Sequence, residues 1–179
     1  TDTGVVIEPY AQVEEHAVIG KDSIVSKFAT VHKHTQLGKN NRIMSFSCIG
    51  SPPQIKDYDP NFKGMCILGD NNIIYQYVTI STGTQQSESG KTIIGSNNLF
   101  MAYTHVGHDA YLKDHVILVN HAALAGHVVV EDYAIIGAFC AIHQFTSIGE
   151  SAMLTHAARV SKDVLPYVIC LLYTSPSPR

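Results

Sequence analysis

Residues 104–139 read THVGHD AYLKDH VILVNH AALAGH VVVEDY AIIGAF when cut into sixes. The third residue of each block is aliphatic: Val106, Leu112, Leu118, Leu124, Val130 and Ile136. The first is small or modest: Thr104, Ala110, Val116, Ala122, Val128 and Ala134. The step continues in apolar residues back through Ile94 and Phe100 and forward through Ile142, Ile148, Leu154 and Val160. An earlier run has the same step, from Ile7 and Val13 through Ile19, Val25, Val31, Leu37 and Ile43 to Ile49. Leu68, Ile74 and Ile80 form a short run in a shifted phase between the two. Neither a helix, with period 3.6, nor an alternating strand, with period 2, sustains strict sixes. A parallel β-helix of hexapeptide repeats does, with one short strand and a corner per six residues and three strands per coil. The aliphatic residues fill the prism, at about 1.5–3 kcal/mol each when fully buried. Glycine follows the inward residue at Gly20, Gly38, Gly50, Gly69, Gly95, Gly107, Gly137 and Gly149, and is read as the corner residue.

Two segments break the phase. SPPQIKDYDPNFKGM (51–65) and GTQQSESGK (83–91) are rich in Pro, Gly or polar residues and predict external loops at about 51–66 and 83–91. The β-helix is expected over 1–169, and the last ten residues, CLLYTSPSPR (170–179), read as a non-native tail outside it.

The 179-residue chain has 45% hydrophobic and 15% charged residues, which fits an apolar-cored fold and excludes a disordered one. A net charge of −3 provides no basic footprint for nucleic acid. No apolar run reaches the roughly 18–20 residues of a membrane span, and the opening TDTGVVIEPY has no secretion signal, so a cytoplasmic protein is expected. Cys48, Cys66, Cys140 and Cys170 show no CxxC spacing and read as free thiols, with Cys140 in the core.

Ten histidines remain to be placed. With eighteen residues per coil, His105, His108, His127 and His143 fall outward along one side of the prism on three successive coils, about 4.8 Å apart. His156 falls elsewhere, and His115 and His121, on the other two faces, read with His16, His32 and His34 as solvated corner residues. An aligned row suits either a shared metal ion or a general base with polar neighbours. Asp109 directly follows His108 and is placed to fix its tautomer. Gly126 offers a backbone N–H with no side chain in the way, as an oxyanion donor requires.

The motifs HVGHD (105–109), LAGHV (124–128) and IHQF (142–145), in this order and spacing, resemble those of bacterial UDP-N-acetylglucosamine O-acyltransferases, and SKDVLPYV (161–168) resembles the end of that family's β-helix. The resemblance spans about residues 5–169. It implies a left-handed β-helix without the family's C-terminal helical domain, and a homotrimer with sites between subunits. It also implies transfer of a 3-hydroxyacyl chain from acyl carrier protein to the 3-hydroxyl of UDP-N-acetylglucosamine, the first step of lipid A synthesis, with no cofactor or metal. On matching positions, His108 is the base, Asp109 its support and Gly126 N–H the oxyanion donor. His105, His127, His143, Gln144 and Gln54 contact substrate, and His156 lies by the acyl groove, where its bulk implies a short to medium chain. Gln54-Ile55-Lys56-Asp57 departs from the family's Gln-Asp-Leu-Lys, Thr82-Gly83-Thr84 from its Arg-Gly-Thr, and the N-terminal prism is about one coil shorter. The alternatives are a zinc hydratase of the carbonic anhydrase type on the same prism, or a non-catalytic scaffold.

Overall fold

A strand of two residues can bury only one side chain, so each block is stable only when stacked on the next coil. In the computed structural model, which describes residues 1–171, twenty-four strands of two to four residues follow one another along the chain. They form three parallel sheets of nine, eight and seven strands, each strand pairing with the third one along except at the C-terminal end, where the twenty-second pairs with the twenty-fourth. Val106 pairs with Leu124, Leu124 with Ile142 and Ile142 with Val160, a step of eighteen. The fold is the parallel β-helix that the repeat implies, left-handed as the family resemblance implies.

The core follows the hexads. Ile19, Val25, Val31, Leu37 and Ile43 are buried, and so are Val106, Leu124 and Ile142, together with the small residues from Thr92 to Ala158. The first coil departs from the expectation: Ile7 is 44% exposed and Val13 half-buried, because no described coil packs beneath them. Cys140 is buried, as expected, and donates its S–H to the Thr155 carbonyl. Buried amides form a second internal ladder. Asn41 Oδ1 accepts the Asn72 N–H, Asn72 Oδ1 the Asn98 N–H, and Asn98 Oδ1 the Val116 N–H, at 2.7–2.9 Å. This satisfies backbone donors at corners that the sheets leave unpaired.

The corners correct the reading of the glycines. The left-handed residue is the third after each inward one, and it usually carries a side chain: φ is 57° at Asp109, 60° at His115, 61° at His121 and 60° at His127. Left-handed backbone costs a residue with a Cβ about 1–2 kcal/mol, and stacking between coils offsets part of it. Tyr10, Phe28, Phe46, Tyr77, Tyr103, His121 and Phe139 form one continuous ring stack along a corner, with centroids 4.6–5.3 Å apart. His121 is therefore a rung of this ladder and not merely a solvated residue. Gly107 is needed instead for close approach, since a Cβ there would lie 2.6 Å from the backbone of Ala125 and Gly126.

Both loops leave the prism with its coils in register, apart from a one-residue shift between Ile80 and Ser81 beside the first loop. Ile49 pairs with Ile80 and Leu68 with Ile94 across them, which is why the phase shifts in sequence but not in space. Strand Ile169–Cys170 pairs with Met153–Leu154, so the coil runs one residue into the expected tail. Residues 172–179 of that tail lie outside the described residues.

Candidate active site

His108 and Asp109 occupy the corner after strand His105–Val106. The positive φ of Asp109 turns its carboxylate back under the loop that begins at Thr82. There the side chain is 1% exposed. Thr84 clamps it, the backbone N–H donating to Oδ1 at 2.9 Å and the hydroxyl to Oδ2 at 2.7 Å. Three charge-assisted bonds, counting that from His108, offset the cost of burying the carboxylate. An ionised carboxylate can only accept, so the proton in the 2.8 Å contact to Oδ2 belongs to His108 Nδ1. His108 Nε2 is left with its lone pair.

Gly126 lies on the next coil beside this ring. A Cβ at 126 would come within 2.5 Å of His108 Cε1 and Nε2, so only glycine leaves the imidazole in place. The Gly126 N–H has no hydrogen-bond acceptor among the described residues. A cavity of about 470 Å³ opens here, lined among others by His105, His108, Gly126, Gln144, Gln54 and Ile55. The first loop therefore reaches the site with Gln54, while Lys56 does not line the cavity.

His105 also lies on this wall, its Nδ1 2.8 Å from Thr79 Oγ1. Burial pushes its pKa down, and the neighbouring His108 adds to this. His127 stacks on Phe145 at 4.4 Å and meets His108 edge-on at 5.1 Å. Burial lowers it too, against the pull of the Asp109 charge. Both flanking imidazoles are held toward the neutral form.

Not every expected residue converges on this cavity. His127 and His143 do not line it in the single chain, and His143 is exposed with its Nδ1 3.1 Å from the Gln144 carbonyl. His156 sits at a different corner, edge-on to Phe139 at 5.6 Å. Conversely, Thr79 and Ser81 enter the site without any motif to announce them. Thr79 pairs in register with His105, a relation that the inserted loop hides in sequence.

Comparison with known proteins bears on the family and the fold. No protein-family model matches the chain. An acyl-[acyl-carrier-protein]–UDP-N-acetylglucosamine O-acyltransferase of Campylobacter concisus is 39% identical over 163 residues, 91% of this chain and 62% of that protein. The enzyme of the same name from Saccharophagus degradans is 43% identical over 120 residues, 65% of this chain and 44% of the relative. Among solved structures, the UDP-N-acetylglucosamine acyltransferase of Campylobacter jejuni superposes with a TM-score of 0.88 at 36% identity, covering 94% of this chain and 65% of that one. That of Bacteroides fragilis gives 0.77 at 32% identity over 92% of this chain and 68% of its own. The chain belongs to the UDP-N-acetylglucosamine O-acyltransferase family.

It spans 44% to 62% of the length of the two curated relatives. The likeness to UDP-N-acetylglucosamine O-acyltransferases thus covers the β-helix, the part that carries His108, Asp109 and Gly126. Among the described residues no helix is long and apolar enough to cross a membrane.

Proposed function

We propose that this chain is the β-helical catalytic part of an O-acyltransferase that moves an (R)-3-hydroxyacyl group from acyl carrier protein to the 3-hydroxyl of UDP-N-acetylglucosamine, the opening step of lipid A synthesis in the cytoplasm. The observation that carries this reading is the imidazole of His108. It is pinned through Nδ1 to a buried carboxylate, with Nε2 unengaged at the cavity wall. In this reading Nε2 removes the sugar hydroxyl proton as the oxygen attacks the thioester carbonyl. Asp109 stabilises the imidazolium, and the Gly126 N–H meets the developing oxyanion. Collapse expels the carrier thiolate, which takes the proton back from His108. His105 and His127, both held toward neutrality, leave the charge that forms on His108 unopposed. Gln54 and Gln144 offer amides at the cavity for the sugar.

A homotrimer belongs to the same proposal. His143 does not line the cavity and His156 stands at another corner, so in this reading both serve a substrate at His108 from a neighbouring chain. The exposed ring ladder from Tyr10 to Phe139 is an apolar strip of the kind that interfaces cover. The reading is tested by incubating the protein with hydroxyacyl-carrier protein and UDP-N-acetylglucosamine. His108→Ala is expected to cost about 10²–10⁴-fold in rate with the fold retained, and near-normal turnover would overturn the base assignment.

One observation favours a second reading, metal-dependent hydration. His108, Asp109 and His127 each offer a ligand atom, all within 4.8 Å of one another. Against it, both Asp109 oxygens already accept hydrogen bonds. Stoichiometric zinc in protein purified without added metal, lost in His127→Ala, would establish this reading over acyl transfer.

A further inference from the structure

Away from the His108 cavity, three successive coils of the same sheet bring Glu14, His32 and Cys48 into a line. Val13 pairs with Val31 and Val31 with Ile49, and the three residues adjoin these inward positions. His32 Nδ1 lies 3.1 Å from Glu14 Oε1, and His32 Nε2 lies 3.1 Å from Cys48 Sγ. The second Glu14 oxygen accepts the Lys33 N–H at 2.9 Å. That bond, with the nearby His32 and Lys33 charges, holds the Glu14 carboxyl below its ordinary range against a smaller effect of burial. The carboxylate therefore takes the His32 Nδ1 proton as its hydrogen bond, and Nε2 is left to accept from the Cys48 thiol. Burial, and secondarily the Glu14 charge, push the Cys48 thiol up, so Sγ keeps its proton at rest and needs a base to give it to.

A cavity of about 300 Å³ lies alongside, lined by Glu14, His32, Tyr58, Phe62 and Thr82, with the first loop as its outer wall. His34 and Lys33 also line it, and His34 stacks on His16 at 5.8 Å. Burial lowers His34, and the His16, Lys33 and Lys63 charges lower it further against Glu15. The other thiols lack such a partner. Cys66 is fully buried and pushed up to about 12, Cys140 gives its proton to a backbone carbonyl, and Cys170 has no imidazole beside it among the described residues.

We propose that Cys48, His32 and Glu14 form a second, nucleophilic site, a thiol modified by carbon electrophiles that bear a good leaving group. As Sγ attacks the electrophilic carbon, its proton passes to His32 Nε2. The C–S bond forms, and the bond to the leaving group breaks with its electron pair. Glu14 stabilises the imidazolium until it returns the proton to the leaving group or to water. The arrangement is that of a base-assisted nucleophile oriented by a third group.

The experiment is alkylation of the intact chain by iodoacetamide, followed by peptide mass spectrometry of Cys48 and Cys170 from about pH 5.5 to 8.5. Cys48 is expected to react about tenfold or more faster than Cys170 near pH 7. Its rate should fall toward the acid end of this range and level off toward the alkaline end. His32→Asn should remove the advantage and Glu14→Gln reduce it several-fold, without loss of acyl transfer. Equal rates for the two cysteines, or an unchanged Cys48 rate in His32→Asn, overturns the proposal. So does a wild-type Cys48 profile that rises tenfold per pH unit with no plateau, a result independent of whether any variant folds.

Discussion

The ring of His108 lies over the bare α-carbon of Gly126, close enough that a methyl group there would sit 2.5 Å from Nε2. Gly126→Ala should therefore displace the base while keeping the prism, whose core it does not touch. A misplacement of about 1 Å can cost roughly 10²-fold in rate. The loss should appear in kcat, with circular dichroism unchanged. Full activity in this variant would show that the ring does not occupy this position during turnover.

Thr84 donates twice to Asp109, through its N–H and its hydroxyl. Thr84→Val removes the hydroxyl and leaves a buried carboxylate short of one donor, a penalty of about 1–3 kcal/mol. A fall in kcat of about tenfold or more is expected, with substantial recovery in Thr84→Ser, which keeps the hydroxyl. Equal losses in Val and Ser would mean that packing, not the hydrogen bond, sets the effect. Asp109→Asn is expected to be more severe, because an amide no longer stabilises the imidazolium.

His105 is held below its ordinary pKa of 6.5, chiefly by burial and further by His108. The unfolded chain takes up a proton near pH 6.5 that the folded chain refuses. Stability is therefore complete above that pH, declines as the pH falls toward the lower folded value, and levels off beneath it. His127 adds a smaller contribution of the same sign, being less buried. Urea midpoints measured from about pH 7.5 down to pH 5 should show this decline, and His105→Gln should flatten it. A midpoint that rises on acidification would contradict the assignment.

Tyr103 is 51% exposed and stacks between Tyr77 at 4.8 Å and His121 at 4.9 Å. Under the proposed trimer, Tyr103→Asp places a charge in a covered apolar strip and should shift the molecular mass in solution from three chains toward one. His156→Gly, at the same corner, should move donor preference toward longer acyl chains. Each methylene newly buried is worth about 0.8 kcal/mol. An unchanged mass in the first variant, or an identical length profile in the second, would remove that corner from the proposal.

The hexads of 94–160 were enough to assign the β-helix, because a strict period of six admits only one way to bury the aliphatic stripe. The same arithmetic placed His105 and His108 on one side, since a step of eighteen is a step of one coil. It misread Ile7 as core and took the glycines for the corner residues. Burial at a prism end depends on what stacks there, and the strained backbone falls three residues after the inward one, on side chains such as Asp109 and His127 and not on glycine. Tertiary structure alone joined Thr84 to Asp109 and Thr79 to His105, because each pair is separated by a loop whose length carries no periodic information. It alone left His143 out of the lining of the His108 cavity, and it alone set His32 between Glu14 and Cys48. A repeat specifies which residues share a face; which way an outward side chain leans is set by the neighbours it meets across coils.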